Sequence, residues 1–254
     1  MLDSILTVFL DQKTTYKLWS LSPKNVCPHF VARNVTQISP TRREKPRHYS
    51  KVGARVVYRA LLQTDRGIFG GANCAPFAVA LKWGVGAERV GLLRREAAIY
   101  ENELRLLQGS VVPQCFGLFA GRTANGADVA CLVLEWCGGF ASADVGELNR
   151  QILLKASQIH VAGILHGSLL EGRHYVASSL DNTIRIIDFA HACIHDCPRE
   201  VSGSLAEVHR QCSDCPELAL LERTFGPHSA ARAGKVRPMN AVPRISLFNL
   251  LFGE

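Results

Sequence analysis

The chain has 254 residues, of which 47% are hydrophobic and 20% charged, a balance that supplies a sizeable core and excludes global disorder. The formal net charge of +7 is modest, and no apolar run approaches the ~20 residues a membrane helix needs, so neither a membrane nor a nucleic acid is an expected partner. Nine cysteines scattered without a framework point to reduced thiols in the cytoplasm or nucleus.

The opening MLDSILTVFLD has no basic leader and only a short apolar stretch. It reads as a short amphipathic helix with Leu2, Ile5, Leu6 and Phe9 on one side, not as a signal peptide. RREKPRHYSK (42–51) carries much of the positive charge. Its plain reading is a solvated loop, with a nuclear address or polyanion patch as the alternative. Residues 1–50 are thus expected to be an appendage and basic linker. ARVVYRALLQ (54–63) and FAVALKW (77–83) read as strands, with DRGIFGGANCAP (65–76) as the loop joining them. The run 88–109 places Leu93, Ala97, Tyr100, Leu104 and Leu107 at helical spacing, with Gly109 as its stop. VVPQCFGLFAGR and DVACLVLEW read as two strands joined by TANGA. Residues 145–165 read as an apolar helix, HGSLLEGRH as a loop, and YVASSL with TIRIIDF as a hairpin turning at Asp181-Asn182. Helical patches follow near 203–211 and 215–223. A Gly-, Pro- and Arg-rich tail, 226–254, ends in a short apolar stretch.

Five strings stand in one order: AVALKW, REAAIYENEL, LVLEWCGG, IHVAGILHG and IIDFAHA. Together they resemble a protein kinase. More narrowly, YENELRLLQGSVVPQCFGLF, LVLEWCGG and IDFAHACIHDC resemble a group of fungal protein-kinase-like proteins, over roughly residues 50–225. The resemblance implies an α+β, bilobal protein-kinase-like fold. Its first lobe would be small and mostly β with one long helix, its second mostly helical and shortened, within a domain at 51–225. It also implies ATP and Mg²⁺ as ligands. Lys82 would hold the α- and β-phosphates, paired by Glu96 or, as second choice, Glu101. Leu134 would be the gatekeeper, with Glu135 to Cys137 offering backbone groups to an adenine. Gly53 and Val57 would cover the nucleotide, and Asp188 would hold Mg²⁺.

The departures bear on mechanism. Where a kinase loop carries its catalytic aspartate this chain has Ser168, which can hydrogen-bond an incoming hydroxyl but offers no negative charge. Where the second metal ligand is expected stand Arg173 and His174, neither a preferred Mg²⁺ ligand. The expected phosphate loop, KVGARVVYRA, keeps only Gly53, and one glycine does not bring backbone to phosphate along a whole turn. No APE-like string follows Asp188, so the substrate-binding part of the second lobe is expected to be short or missing. Each retained residue also has a plain structural reading. Lys82 would be a snorkelling surface lysine, Glu96 a solvated helix acid, Asp188 a turn cap, and His166 a core histidine bonded to backbone near Asp188.

A second constellation is dense in metal-ligand types: Cys193, His195 and Cys197, then His209, Cys212 and Cys215. Four of these could close a tetrahedral zinc site, and plain thiols are the alternative. The sequence therefore leads to a protein-kinase-like domain that binds nucleotide with impaired or absent phosphotransferase activity. The alternatives are an active kinase with an atypical loop and a non-catalytic protein-interaction scaffold, zinc-stapled or not.

Overall fold

The structure, a computed structural model, describes residues 4–12, 14–21, 29–38, 56–64, 75–138, 144–171, 174–178, 181, 183–197 and 215–226. Gly53, the basic run 42–51, Arg173, the helical patch 203–211, His209, Cys212 and the tail beyond Gly226 lie outside them. The described residues up to Ala98, together with Gln114–Trp136, form one compact unit. Ile99–Pro113 and the described residues from Cys137 onward form a second.

The first unit is a closed barrel of seven strands: β1 (Ile5–Phe9), β2 (Thr15–Ser20), β3 (His29–Gln37), β4 (Val56–Thr64), β5 (Phe77–Val85), β6 (Cys115–Arg122) and β7 (Asp128–Glu135). They are ordered β1-β2-β6-β7-β5-β4-β3, and β1 and β3 close the ring as the one parallel pair among antiparallel neighbours. Closure removes the unpaired edges that an open sheet would present. Period-two alternation decides which side chains fill the barrel. Val79, Leu81 and Trp83 of β5, Val129, Cys131 and Val133 of β7, and Leu6 and Val8 of β1 join Leu18, Phe30, Leu62 and Phe119 in one core cluster. Tyr16 packs edge-on against Trp83 and Phe30 against Phe119.

Helix α1 (Ala87–Glu101) follows β5 through Gly86, whose φ of 90° belongs to the left-handed region and whose N–H is held by the Asp128 carbonyl. The helix lies on the outer face of β5. A Cβ added at Gly84 would meet Leu93 Cδ1 at 2.9 Å, so the missing side chain lets helix and strand approach. This close seating puts residues of α1 against the outward side chains of β5.

The second unit contains helix α2 (Val145–Val161), capped by the Asp144 carboxylate accepting from the Gly146 N–H, and helix α3 (Pro216–Phe225), with Pro216 at its first turn. Between them run four short strands, β8 (Ile164–Leu165), β9 (Tyr175–Ala177), β10 (Ile184–Ile186) and β11 (Cys193–Ile194). They pair antiparallel as β9–β10 and β8–β11. Gly163, at φ 79°, turns the chain from α2 into β8. Ile152, Tyr175 and Ile184 make a small core, with Leu148 and Phe225 packed on it.

This architecture corrects the expected α+β, bilobal kinase-like fold. The β half is a closed seven-stranded barrel, not the small first lobe of a bilobal kinase-like fold. The second half is not the mostly helical lobe expected, since among the described residues four strands lie between two helices. Among the described residues there are eleven strands against three α-helices. The expected amphipathic helix at the start is also corrected, because Ile5–Phe9 is a strand. In so short an apolar run helical and strand spacing coincide, and here the β-branched and aromatic residues follow the sheet. Strands β1 to β3 all come from the residues expected to be an appendage, and they supply the partners that close the ring. Among the described residues no helix is long and apolar enough to cross a membrane.

Candidate functional site

In the first unit the candidate site is built on the outer face of β5. Because Leu81 and Trp83 point into the barrel, Lys82 points out of it. The pairing register aligns Val57 of β4 with Lys82, and Lys82 with Leu132 of β7, so these three lie in one row across three strands. α1 brings Glu96 onto this face. Lys82 Nζ donates to both Glu96 carboxylate oxygens at 2.7 Å. The Glu96 side chain is fully buried and that of Lys82 is 10% exposed. Glu101 is half-buried at the end of α1 and does not take this place. The snorkelling reading of Lys82 and the solvated reading of Glu96 therefore do not describe these side chains.

Such a pair is not explained by stability alone. Desolvating two ions offsets much of their attraction, and well-packed apolar residues of similar volume are often as good. What the pair does supply is a cation held in one position by a carboxylate in a dry environment.

Leu134 is buried at 6% exposure near the end of β7. The Glu135 N–H donates to the Gln114 carbonyl, and the Trp136 N–H to the Ala78 carbonyl. The Glu135 carboxylate accepts from the Gln114 N–H at 3.0 Å. Two of the backbone donors expected to face an adenine are thus engaged within the barrel unit. Cys137, half-buried, belongs to the second unit.

In the second unit His166 is fully buried. Its Nε2 lies 3.0 Å from the Ile187 carbonyl and its Nδ1 3.2 Å from Ser168 Oγ. The carbonyl only accepts, so Nε2 carries the proton, and Nδ1 accepts from the Ser168 hydroxyl. His166 therefore has the core, backbone-bonded role anticipated for it, and the hydroxyl proton of Ser168 is directed at that ring. Burial, foremost, pushes the His166 pKa down, aided by His174. The Ile187 carbonyl and the charges of Glu217 and Asp188 act the other way without reversing it.

The sign of this shift fixes a pH dependence. A histidine whose folded pKa lies below its ordinary value of about 6.5 binds its proton more readily in the unfolded chain. Its contribution to stability is whole above that value and falls as pH drops through it. Urea unfolding between pH 7 and pH 5 is expected to show a steeper loss of stability in the native sequence than in His166→Gln. Equal slopes in the two proteins would contradict the assignment.

Asp188 follows β10 with φ 69° and ψ 67°, a left-handed backbone that is unfavourable by about 1–2 kcal/mol for an L-residue but tolerated best by Asn and Asp. Its carboxylate is 3.9 Å from His174 Nδ1 and one-quarter exposed. Backbone strain of this kind clusters at ligand-binding positions. Glu217, in the first turn of α3, accepts from the His166 N–H at 3.0 Å, the Gly167 N–H at 2.7 Å and His160 Nε2 at 2.8 Å. Burial alone would raise its pKa, but the hydrogen bonds from His160, Gly167 and His166 outweigh burial and hold it below the ordinary carboxylate value.

The structure also gathers His160, His195, Cys197 and Cys215 within the second unit. One ligand atom from each lies within 4.8 Å of all the others. Three of the four were in the sequence constellation, and His160 was not. Cys193 is exposed and stands apart from the group.

Compared with models of protein families, the chain matches none, and a search among curated proteins returns no match.

Proposed function

We propose that the chain is a nucleotide-binding protein with weak or absent phosphotransferase activity, in which Lys82 is the phosphate-holding cation. The observation that carries this reading is the buried, bidentate Lys82–Glu96 pair. It is costly as a purely structural device and well suited to hold a cation for phosphate oxygens. Val57 and Leu132, in the same row, give the site apolar flanks for a base. Asp188, on its strained backbone, is the proposed Mg²⁺ ligand of the second unit.

Ser168 argues against efficient transfer. Its hydroxyl donates to a buried neutral histidine, so no carboxylate stands where a base would take the acceptor proton. General-base help is worth typically ~10²–10⁴-fold. A binding role toward a protein partner, regulated by nucleotide, fits these features better than rapid turnover. The nine cysteines, scattered without a framework, favour a reducing compartment, the cytoplasm or the nucleus.

The experiment is a thermal-shift titration with ATP, with and without Mg²⁺. At a hundredfold excess over Kd a ligand of the folded state adds about 2.7 kcal/mol of apparent stability. The expected result is a Mg²⁺-dependent rise that Asp188→Asn removes while the unliganded melting temperature barely changes, since Asn tolerates the same backbone. No rise at saturating nucleotide would sink the proposal.

A further inference from the structure

The chemistry of the four-residue group in the second unit goes beyond nucleotide binding. Cys215 Sγ lies 3.5 Å from His160 Nδ1 and 3.6 Å from His195 Nε2. A tetrahedral zinc ion, with bonds of ~2.3 Å to sulfur and ~2.0–2.1 Å to nitrogen, holds such a sulfur and nitrogen about 3.5–3.6 Å apart. Nothing in ordinary packing requires two imidazoles and two thiols to turn their ligand atoms toward one point. We propose that His160, His195, Cys197 and Cys215 are the four ligands of a structural zinc(II) site.

Each ligand has a reason to be where it is. His160 is in the last turn of α2. β11 pairs with β8, which directly follows α2, and the His195 N–H donates to the Gly163 carbonyl at 2.8 Å. This brings His195 back to the end of the helix and Cys197 close behind it. Cys215 is the N-cap of α3, and this start of the helix sets its sulfur against the rings of His160 and His195.

The surroundings are those of a metal-bound histidine. Glu217 takes the Nε2 proton of His160 as its hydrogen bond, leaving the Nδ1 lone pair toward the thiols. A carboxylate behind a ligating imidazole fixes its tautomer and ring orientation. The same carboxylate holds the backbone N–H groups of His166 and Gly167. The metal site and the loop that carries Ser168 are therefore tied through one side chain.

With two sulfurs and two nitrogens from protein, the coordination is full, which marks the site as structural rather than catalytic. The donor set suits zinc and is foreign to Mg²⁺ or Ca²⁺. The ion would clip the end of α2, the segment after β11 and the start of α3, anchoring both ends of the intervening chain.

The test uses the full chain, purified under reducing conditions. Zinc content is measured by elemental analysis, and the metal-free protein is titrated with Co²⁺. The expected result is one zinc per chain. Cobalt loading should give the strong visible bands of a tetrahedral site together with thiolate charge transfer. Cys197→Ser and His195→Ala, both half-buried positions, should lose zinc and these bands. Cys193→Ser should keep them, and Glu217→Gln should bind zinc about 10–100-fold more weakly. Should a ligand variant fail to fold, the native-sequence cobalt spectrum still decides. Absence of thiolate charge transfer, a Cys197–Cys215 disulfide in the reduced preparation, or unchanged zinc in both ligand variants would overturn the proposal.

Discussion

Lys82→Ala is expected to destabilise the barrel unit by about 3–5 kcal/mol, the range for removing one partner of a buried ion pair. Glu96 is fully buried and sits on a helix whose Leu93 meets the backbone of β5 at Gly84. Left without the ammonium group, its carboxylate must take up a proton or draw water between helix and strand. Either outcome loosens α1 from the barrel. The readout is specific, because all three tryptophans of the chain, Trp19, Trp83 and Trp136, belong to the first unit. Urea unfolding followed by tryptophan fluorescence therefore reports that unit. Replacing both partners, Lys82→Met with Glu96→Leu, leaves no unpaired charge and is expected to restore most of the stability. If Lys82→Ala leaves the midpoint in place, the pair is not the buried contact described.

Phe189→Ala is expected to remove a comparable amount, about 3–5 kcal/mol, from the second unit. Phe189 is fully buried. Its ring lies edge-on to Tyr100 at 5.4 Å and to His166 at 4.9 Å between centroids. Truncation would open a cavity beside the histidine that fixes Ser168, so the loss combines transfer energy with the void. Far-UV circular dichroism in urea measures it. Phe189→Leu, which fills more of the space, should recover part of the loss. An unchanged midpoint for Phe189→Ala would mean that the 186–192 segment is not packed as described.

The sequence was most legible where chain neighbours pair in space. β4 with β5, β6 with β7, and β9 with β10 are antiparallel neighbours built from short apolar runs, and α1 and α2 carry helical spacing. β1 and β3 were not legible for a physical reason. Their pairing is parallel and non-local, and β3 breaks its alternation at a bulge between Arg33 and Thr36, where Asn34 has φ 54°. A charged, Pro-containing stretch beside them suggested a linker. The Lys82–Glu96 pair could be proposed because strand and helix are consecutive, so one turn decides which face meets which. His160 gave no such signal. A histidine near a helix end reads as ordinary, and only the return of β11 onto β8 and the packing of α3 against α2 bring it to His195, Cys197 and Cys215. The resemblance that suggested a nucleotide site carried a fold expectation that the closed barrel overturned, so the functional reading rests on the residues themselves.

The most direct measurement is isothermal calorimetry of Mg²⁺-ATP binding to the native chain and to the Lys82→Met, Glu96→Leu double variant, after matched urea midpoints show both to be folded. The account predicts saturable binding by the native chain and none by the double variant. No binding by the native chain, or equal affinity in the two, would contradict it.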